Sequence, residues 1–505
     1  MDIILAGYNL DYETIRSMGE AHPELTSLTP ETVSAAYARI SRSPKPVNEL
    51  RARARLEVEK ARQSNNNIVF EMGHSSIAEH AVFNIDVIGV SRLLVEEIEK
   101  FRLCSYTEKS QRYVLLSDDF IIPEEIRAAR KEEKFVQLIR RQNDFYHRLY
   151  EKLRPHVFEK HRDLATDHRN HTMLEGWAKE DARYILSMAT QTQLGMTLNA
   201  RNLELIMRRM ASHALVEAHE YGRKLYEIVK PIAPSLIRYT EKTEYDHLTG
   251  KALAQTISTF LKEIPGGKDG SPENQRSLPI VSPVKLIITT PDADDRVLAA
   301  FLHTATNRPL SDCFRLASAL PPPQKKEIFK TAFRHMTSHD AAPRELECVD
   351  LTYDLVVSAS CFAQLKRHRM ATLLCQDYNP ELGVTVPDSI RETAMEEAFL
   401  EMIRITEDLY AELRQSIPVA ANYCLTNAHR KRVLMKINAR ELYHIARLRA
   451  DRHAQWDIRK LAVEMIAQAK AVMPLTLLMA TGKDSFENSH DEFFGRRTTH
   501  KDIKD

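Results

Sequence analysis

The chain repeats itself, and this repetition limits its fold more than any other feature. An apolar, strand-like start, Ile3-Ile4-Leu5-Ala6, is answered by Val284-Lys285-Leu286-Ile287-Ile288. Other marks return in the same order: Pro123-Glu-Glu-Ile-Arg127 as Pro387-Asp-Ser-Ile-Arg391, Asn199-Ala-Arg201 as Asn438-Ala-Arg440, and His213-Ala214 as His453-Ala454. The first of these pairs is separated by 264 residues and the second by 239, so the later copy is shorter between them by 25. The extra length falls in the charged helical region around Lys131 to Asp181. A period this long predicts two domains in tandem rather than a solenoid. The expected division is a first domain over 1–245, a linker over 246–282 containing Gly266-Gly267-Lys268-Asp269-Gly270-Ser271-Pro272, and a second domain over 283–505.

Each copy has the same grammar. A short strand comes first, then helices, then an alternating segment such as Val82-Phe83-Asn84-Ile85-Asp86-Val87, whose period of two predicts a half-buried strand. A helix follows, over 91–101 in one copy and 358–368 in the other, and long helices close each copy. The predicted class is α+β, with helices packed on a modest sheet in each copy.

Composition narrows the function classes. Lys+Arg is 71 and Asp+Glu 70, a formal net charge of +1, which lacks the field of a general nucleic-acid binder. The six cysteines have no C-x-x-C spacing, so a reduced protein without a cysteine metal site is expected. The start lacks the basic and apolar regions of a signal peptide, and no apolar run is long enough to span a bilayer. A cytoplasmic protein with no membrane and no nucleic-acid partner is expected. His156, His161, His168 and His171 are read as a solvated helical face, and Met207, Met210 and Met435 as core.

Three constellations carry possible chemistry. Arg367-His368-Arg369 ends the second-copy helix, where cations suit the helix dipole. Glu108, Ser110 and Arg112 alternate, and would share one face if the segment is extended. Arg440 and His444, and Arg449 and His453, are spaced four apart on predicted helix, so each pair shares a face. Leu442, Ile445, Ile458, Leu461 and Met465 supply an apolar face there. A helix leaning into the interior with these polar groups needs partners for them, either an anionic ligand or structural salt bridges.

These pieces resemble the flavin-dependent thymidylate synthase family, whose signature is R-H-R, seven residues, then Ser. The likeness is closest in Phe362-Ala-Gln-Leu-Lys-Arg-His-Arg369, in Glu108-Lys-Ser-Gln-Arg-Tyr113 and in 438–458. The resemblance implies an α+β fold, FAD as cofactor, methylenetetrahydrofolate and NADPH as cosubstrates, and conversion of dUMP to dTMP without a protein nucleophile. The family forms homotetramers with active sites between subunits, so two copies per chain imply a homodimer.

Neither copy keeps the whole signature. The first reads Lys100-Phe101-Arg102 in place of R-H-R but retains Glu108, Ser110 and Arg112. The second keeps R-H-R but has Cys375, Asp377 and Asn379 where the family has Glu, Ser and Arg. Glu97 stands for Gln364, and Asn422 for Arg183. The resemblance then implies one nucleotide site drawn from complementary sets. One set is Glu108, Ser110, Gln111, Arg112 and Arg183; the other is Gln364, Arg367 and Arg449. Arginines would neutralise the phosphate by forked hydrogen bonds. Ser110 would add a donor, and Arg449 would withdraw charge from the pyrimidine. Flavin contacts carried over are Arg367, His368, Arg369, Asn438, Arg440, His444 and His453, with His74 from a G-H-x-x-x-x-E-H segment. Two alternatives are C5 modification of another pyrimidine nucleotide, such as hydroxymethylation, and a non-catalytic nucleotide- or flavin-binding regulator.

Overall fold

A computed structural model describes residues 1–10, 18, 29–39, 43–72, 74–112, 114–116, 118–261 and 282–495. The chain forms two compact units, Met1–Gln275 with Pro387–Thr426, and Arg276–Val386 with Asn427–Asp505.

The first unit holds a four-stranded antiparallel sheet of β1 (Asp2–Tyr8), β2 (Val82–Ser91), β3 (Ser105–Glu108) and β4 (Gln191–Asn199), in the order β1-β2-β4-β3. The alternation in β2 buries Phe83, Ile85 and Val87 on one face, as its period requires. Ser91 ends the strand and caps the helix Arg92–Ile98, its Oγ accepting from Leu94 N at 2.9 Å. Asn199 ends β4 and caps Ala200–Ala211, its Oδ1 accepting from Asn202 N at 2.9 Å. Short oxygen-bearing side chains at these junctions satisfy a helix donor that would otherwise lack a partner.

The second unit repeats this order. Its strands are β5 (Val284–Thr289), β6 (Asp350–Ser358), β7 (Thr372–Tyr378) and β8 (Arg430–Asn438), arranged β5-β6-β8-β7 and all antiparallel. Ser358 caps Ala359–Leu365 through Cys361 N at 2.9 Å, and Asn438 caps Ala439–Arg449 through Glu441 N at 2.8 Å. Leu351, Tyr353 and Leu355 pack with Leu442, Ile445, Ile458, Leu461 and Met465 in one core, so the apolar face read from the helix sequence is the buried one. Met207, Met210 and Met435 are buried as well.

The extra length in the first half is helical: Glu132–Lys160 and His171–Ala182. In the first unit they are joined by Glu396–Arg414, a helix that lies in sequence between β7 and β8. Gln142 Nε2 donates to Thr406 Oγ1 at 2.8 Å and to Cys424 O at 3.1 Å. Buried Glu217 accepts from Tyr423 Oη at 2.6 Å and from Ser91 Oγ at 2.6 Å.

Two expectations need adjustment. The helices read as 91–101 and 358–368 are shorter, because their first residues are the capping serines and their last lie beyond the final helical turn. Part of the expected linker is ordered, since Glu244–Leu261 forms an 18-residue helix. Its glycine-containing stretch 266–272 lies outside the described residues, as do Gly73 and Tyr113 of the two motifs. Among the described residues no helix is long and apolar enough to cross a membrane.

Candidate functional site

The richest constellation lies in the second unit, where β8 runs into the helix Ala439–Arg449. Asn438 is fixed by its capping role, and the turns that follow place Arg440, His444 and Arg447 on one stripe. These residues, with Glu441, Tyr443, Glu347, Met370, Ala341 and Ala342, line a cavity of about 270 Å³. Arg440 donates from Nε to Ala342 O at 2.8 Å and from Nη1 to Glu347 Oε1 at 2.8 Å. Arg447 donates to Asp340 O. The wall therefore combines cationic donors with a small apolar surface.

Behind this wall sits the R-H-R segment. Arg367 and Arg369 are exposed, whereas His368 between them is only 2% exposed. His368 Nδ1 lies 3.2 Å from Glu441 Oε1, and Arg449 Nε donates to His368 Nε2 at 3.1 Å. Arg449 also donates from Nη2 to Gln364 O at 3.3 Å, and Gln364 Nε2 donates to Gln455 Oε1 at 3.3 Å. Burial pushes the His368 pKa below its ordinary value; the Glu441 hydrogen bond opposes this and the charge of Arg449 adds to it. Gln364, His368 and Arg449 thus form one network. His453 stands apart, exposed, accepting from Arg452 Nε at 3.3 Å.

His368, Glu441 and His444 each bring one candidate ligand atom within 4.8 Å of the others. The donor set does not fit a metal as it stands. Arginine only donates, so His368 Nε2 must be an acceptor, and the neutral ring then carries its proton on Nδ1, the atom facing Glu441.

The first unit holds the other set. β3 stops at Glu108, Lys109 N still donates to Gln193 O at 2.9 Å, and the chain turns at Gln111 and Arg112. Ser110 Oγ accepts from Arg112 N at 3.1 Å, which bends the segment. The expectation that Glu108, Ser110 and Arg112 share an extended face is therefore corrected. Glu108 accepts from buried Arg92 and from Thr192 Oγ1 at 3.2 Å. Burial works against the Arg92 charge, but Glu108 together with Glu99 and Glu96 outweighs it and the pKa is raised. Arg112 pairs through Nε with Glu180. Arg183 is buried, donating from Nε to Glu180 O at 3.3 Å. Burial lowers its pKa, Glu180 opposes this, and neighbouring Arg112 and Arg92 add to the depression. Gln111 is buried in the same turn. This unit therefore brings Glu108, Arg112 and Arg183 into one charged cluster. His74 is exposed and opens the turn Ser75–His80, its N–H donating to Ile68 O at 3.0 Å.

Sequence reasoning missed Glu441, Arg447, Arg92 and Glu180. The spacing of Arg440, His444 and Arg447 was available as a helical stripe, and Glu441 stands three residues past a capping Asn. Nothing local marks Arg92 or Glu180, because each meets its partner only after folding.

The chain is similar to several known proteins. A "UPF0159 protein" from Chlamydia pneumoniae is 26% identical over 433 residues, covering 83% of this chain and 80% of that protein. Another, Ta1429 from Thermoplasma acidophilum, is 22% identical over 448 residues, covering 81% and 86%. A flavin-dependent thymidylate synthase from Clostridium tetani is 31% identical over 213 residues, covering 42% of this chain but 82% of that enzyme. A solved UMP/dUMP methylase, PolB from Streptomyces cacaoi, covers 40% of this chain and 95% of that one, at 17% identity and a TM-score of 0.32, too distant for its ligand to be carried across. The model of the family described as thymidylate synthase complementing protein matches residues 24–235 and 285–475, most of the sequence, and the chain belongs to that family.

Proposed function

We propose that this chain is a tandem pair of flavin-dependent thymidylate synthase-like domains that methylates dUMP to dTMP. One observation carries the reading: Asn438, Arg440 and His444, picked out as flavin contacts, line a single cavity. The duplication is supported by the shared strand order, by the matching Ser and Asn caps, and by a relative of which 82% matches only 42% of this chain. The domains proposed are 1–245 and 283–505.

The cavity suits part of a flavin dinucleotide. Two of the five Arg440 N–H groups are used on Ala342 and Glu347, which leaves donors for an anionic or carbonyl-bearing ligand. Met370, Ala341 and Ala342 offer apolar contact to a ring. Asn438, Arg440 and His444 would hold the cofactor, with Arg367, Arg369, His453 and His74 as further proposed contacts. When bound, reduced FAD supplies the hydride that completes the methyl group. Methylenetetrahydrofolate is the proposed carbon donor and NADPH the reductant.

The protein's own part is binding and charge placement. We assign dUMP to the combined sets of Glu108, Ser110, Gln111, Arg112 and Arg183, and of Gln364, Arg367 and Arg449, as two subunits of a family enzyme contribute them. Arg449, held by His368 and by Gln364 O, would draw electron density from the pyrimidine. Ser110 and Arg112 would meet the phosphate. The working form proposed is a cytoplasmic homodimer.

A second reading, a nucleotide-binding regulator or an enzyme for another pyrimidine nucleotide, is favoured by one observation. Glu108 and Arg112 are already paired with Arg92 and Glu180, so a nucleotide must compete for Arg112. Two measurements decide. A flavin absorption band in the purified protein and rescue of a thymidine-requiring strain are expected. Flavin without rescue favours another pyrimidine, and neither favours a regulator.

A further inference from the structure

Glu441 belongs to none of the residue sets named from the sequence, yet it is 7% exposed and faces the one buried histidine of the R-H-R segment. Its backbone N–H is capped by Asn438 Oδ1. In a capping box the acidic side chain three residues past the cap would turn back to the cap's own N–H. Here it reaches His368 instead. On the far side of the ring, Nε2 receives a hydrogen bond from Arg449, a group that cannot accept.

We propose that Glu441 is a positioning residue: it holds the His368 imidazole as the neutral Nδ1–H tautomer, so that Nε2 keeps a lone pair for Arg449 Nε and fixes the guanidinium beside Gln364. A carboxylate in the first turn of a helix is also a favourable neighbour of the helix dipole. The charged and titratable groups around His368 are Glu441, His444 and Arg449, with Arg367 and Arg369 beside it in sequence. Burial and Arg449 both favour the neutral ring.

The first unit supplies an internal comparison. His368 lies ten residues past its capping Ser358, and ten past Ser91 lies Phe101. Glu441 lies three past Asn438 and Arg449 eleven past it; three and eleven past Asn199 lie Asn202 and Met210. All three members are thus exchanged together for groups that carry no charge. Asn202 Nδ2 turns back to Asn199 Oδ1 at 2.9 Å, as a residue with no histidine to hold would. Three polar groups that act as one relay explain their joint replacement.

The link to nucleotide rests on the proposed function, and the experiment separates the two. Histidine-15N-labelled full-length protein is examined by long-range 1H–15N correlation, with the His368 signals assigned by their loss in His368→Phe. The wild-type ring is expected as the neutral Nδ1–H tautomer throughout about pH 6–8. A cationic or Nε2–H ring overturns the proposal, and this measurement needs no variant at position 441. Glu441→Leu should mix the tautomers and weaken calorimetric dUMP binding about tenfold. Glu441→Gln, which keeps an acceptor oxygen, should preserve the tautomer. An unchanged tautomer in a folded Glu441→Leu protein also overturns the assignment. If the tautomers behave as expected while wild-type protein binds no dUMP, the nucleotide reading fails and the relay stands.

Discussion

The Arg112 guanidinium donates through Nε to the Glu180 carboxylate, a partner 68 residues further along the chain. Glu180 is nearly buried, with a side chain 6% exposed against 22% for Arg112. The pair holds in reserve a cation that the proposed function assigns to phosphate.

Arg112→Ala should therefore do two things. It should weaken dUMP binding by about 1.5–3 kcal/mol, the value of a hydrogen bond to a charged group, and it should lower stability by leaving Glu180 without its cation. Glu180→Gln should instead tighten dUMP binding by releasing Arg112. Calorimetric titration and urea unfolding read both effects. Equal affinity in all three proteins would remove Arg112 from the site.

Flavin retention should depend on the second unit. Arg440→Ala should lower it about tenfold or more, since Arg440 lines the cavity. Arg201, the corresponding first-unit residue, is spent at the surface on Glu79 at 2.5 Å, and Arg201→Ala should leave flavin content unchanged. The flavin-to-protein absorbance ratio after gel filtration compares them.

Glu97 predicts an acid-sensitive step. Burial acts to raise its pKa, but His213 and Lys100 outweigh burial and bring it from 4.5 to about 2. A pKa depressed in the folded state gives stability that is complete above the unfolded value and is lost as pH falls through the folded one. Unfolding free energy should thus drop between about pH 5 and pH 2, with up to about 3 kcal/mol due to this group. Glu97→Gln should flatten that limb, as unfolding curves at several pH values will reveal.

Nucleotide stoichiometry checks the proposed division of labour. In the second unit Cys375 and Asp377 lie exposed on β7, and Asn379 is used as a cap, its Oδ1 accepting from Glu381 N at 3.0 Å. A carboxylate there repels a dianionic phosphate. One dUMP per chain is expected in calorimetry of flavin-loaded protein, and two equivalent sites per chain would refute the complementarity.

By itself the sequence determined what is local. The period of two in Val82–Val87 and the apolar face from Leu442 to Met465 were legible because each pattern is set by spacing along the chain, whereas the capping roles of Ser91, Ser358, Asn199 and Asn438 emerged only with the fold. The repeated marks also made the shared order of strands readable. Arg440 and His444 could be placed on one face from spacing alone. What only the tertiary structure decided are the partners of charge: Arg92 with Glu108, Arg112 with Glu180, and His368 with Glu441 and Arg449 across 73 and 81 residues. A buried charge must be matched wherever the chain happens to bring a complement, and no local period encodes that meeting. The same holds for the turn after Glu108, where an alternating pattern implied a strand but a serine hydroxyl bonding two residues on bent the backbone instead.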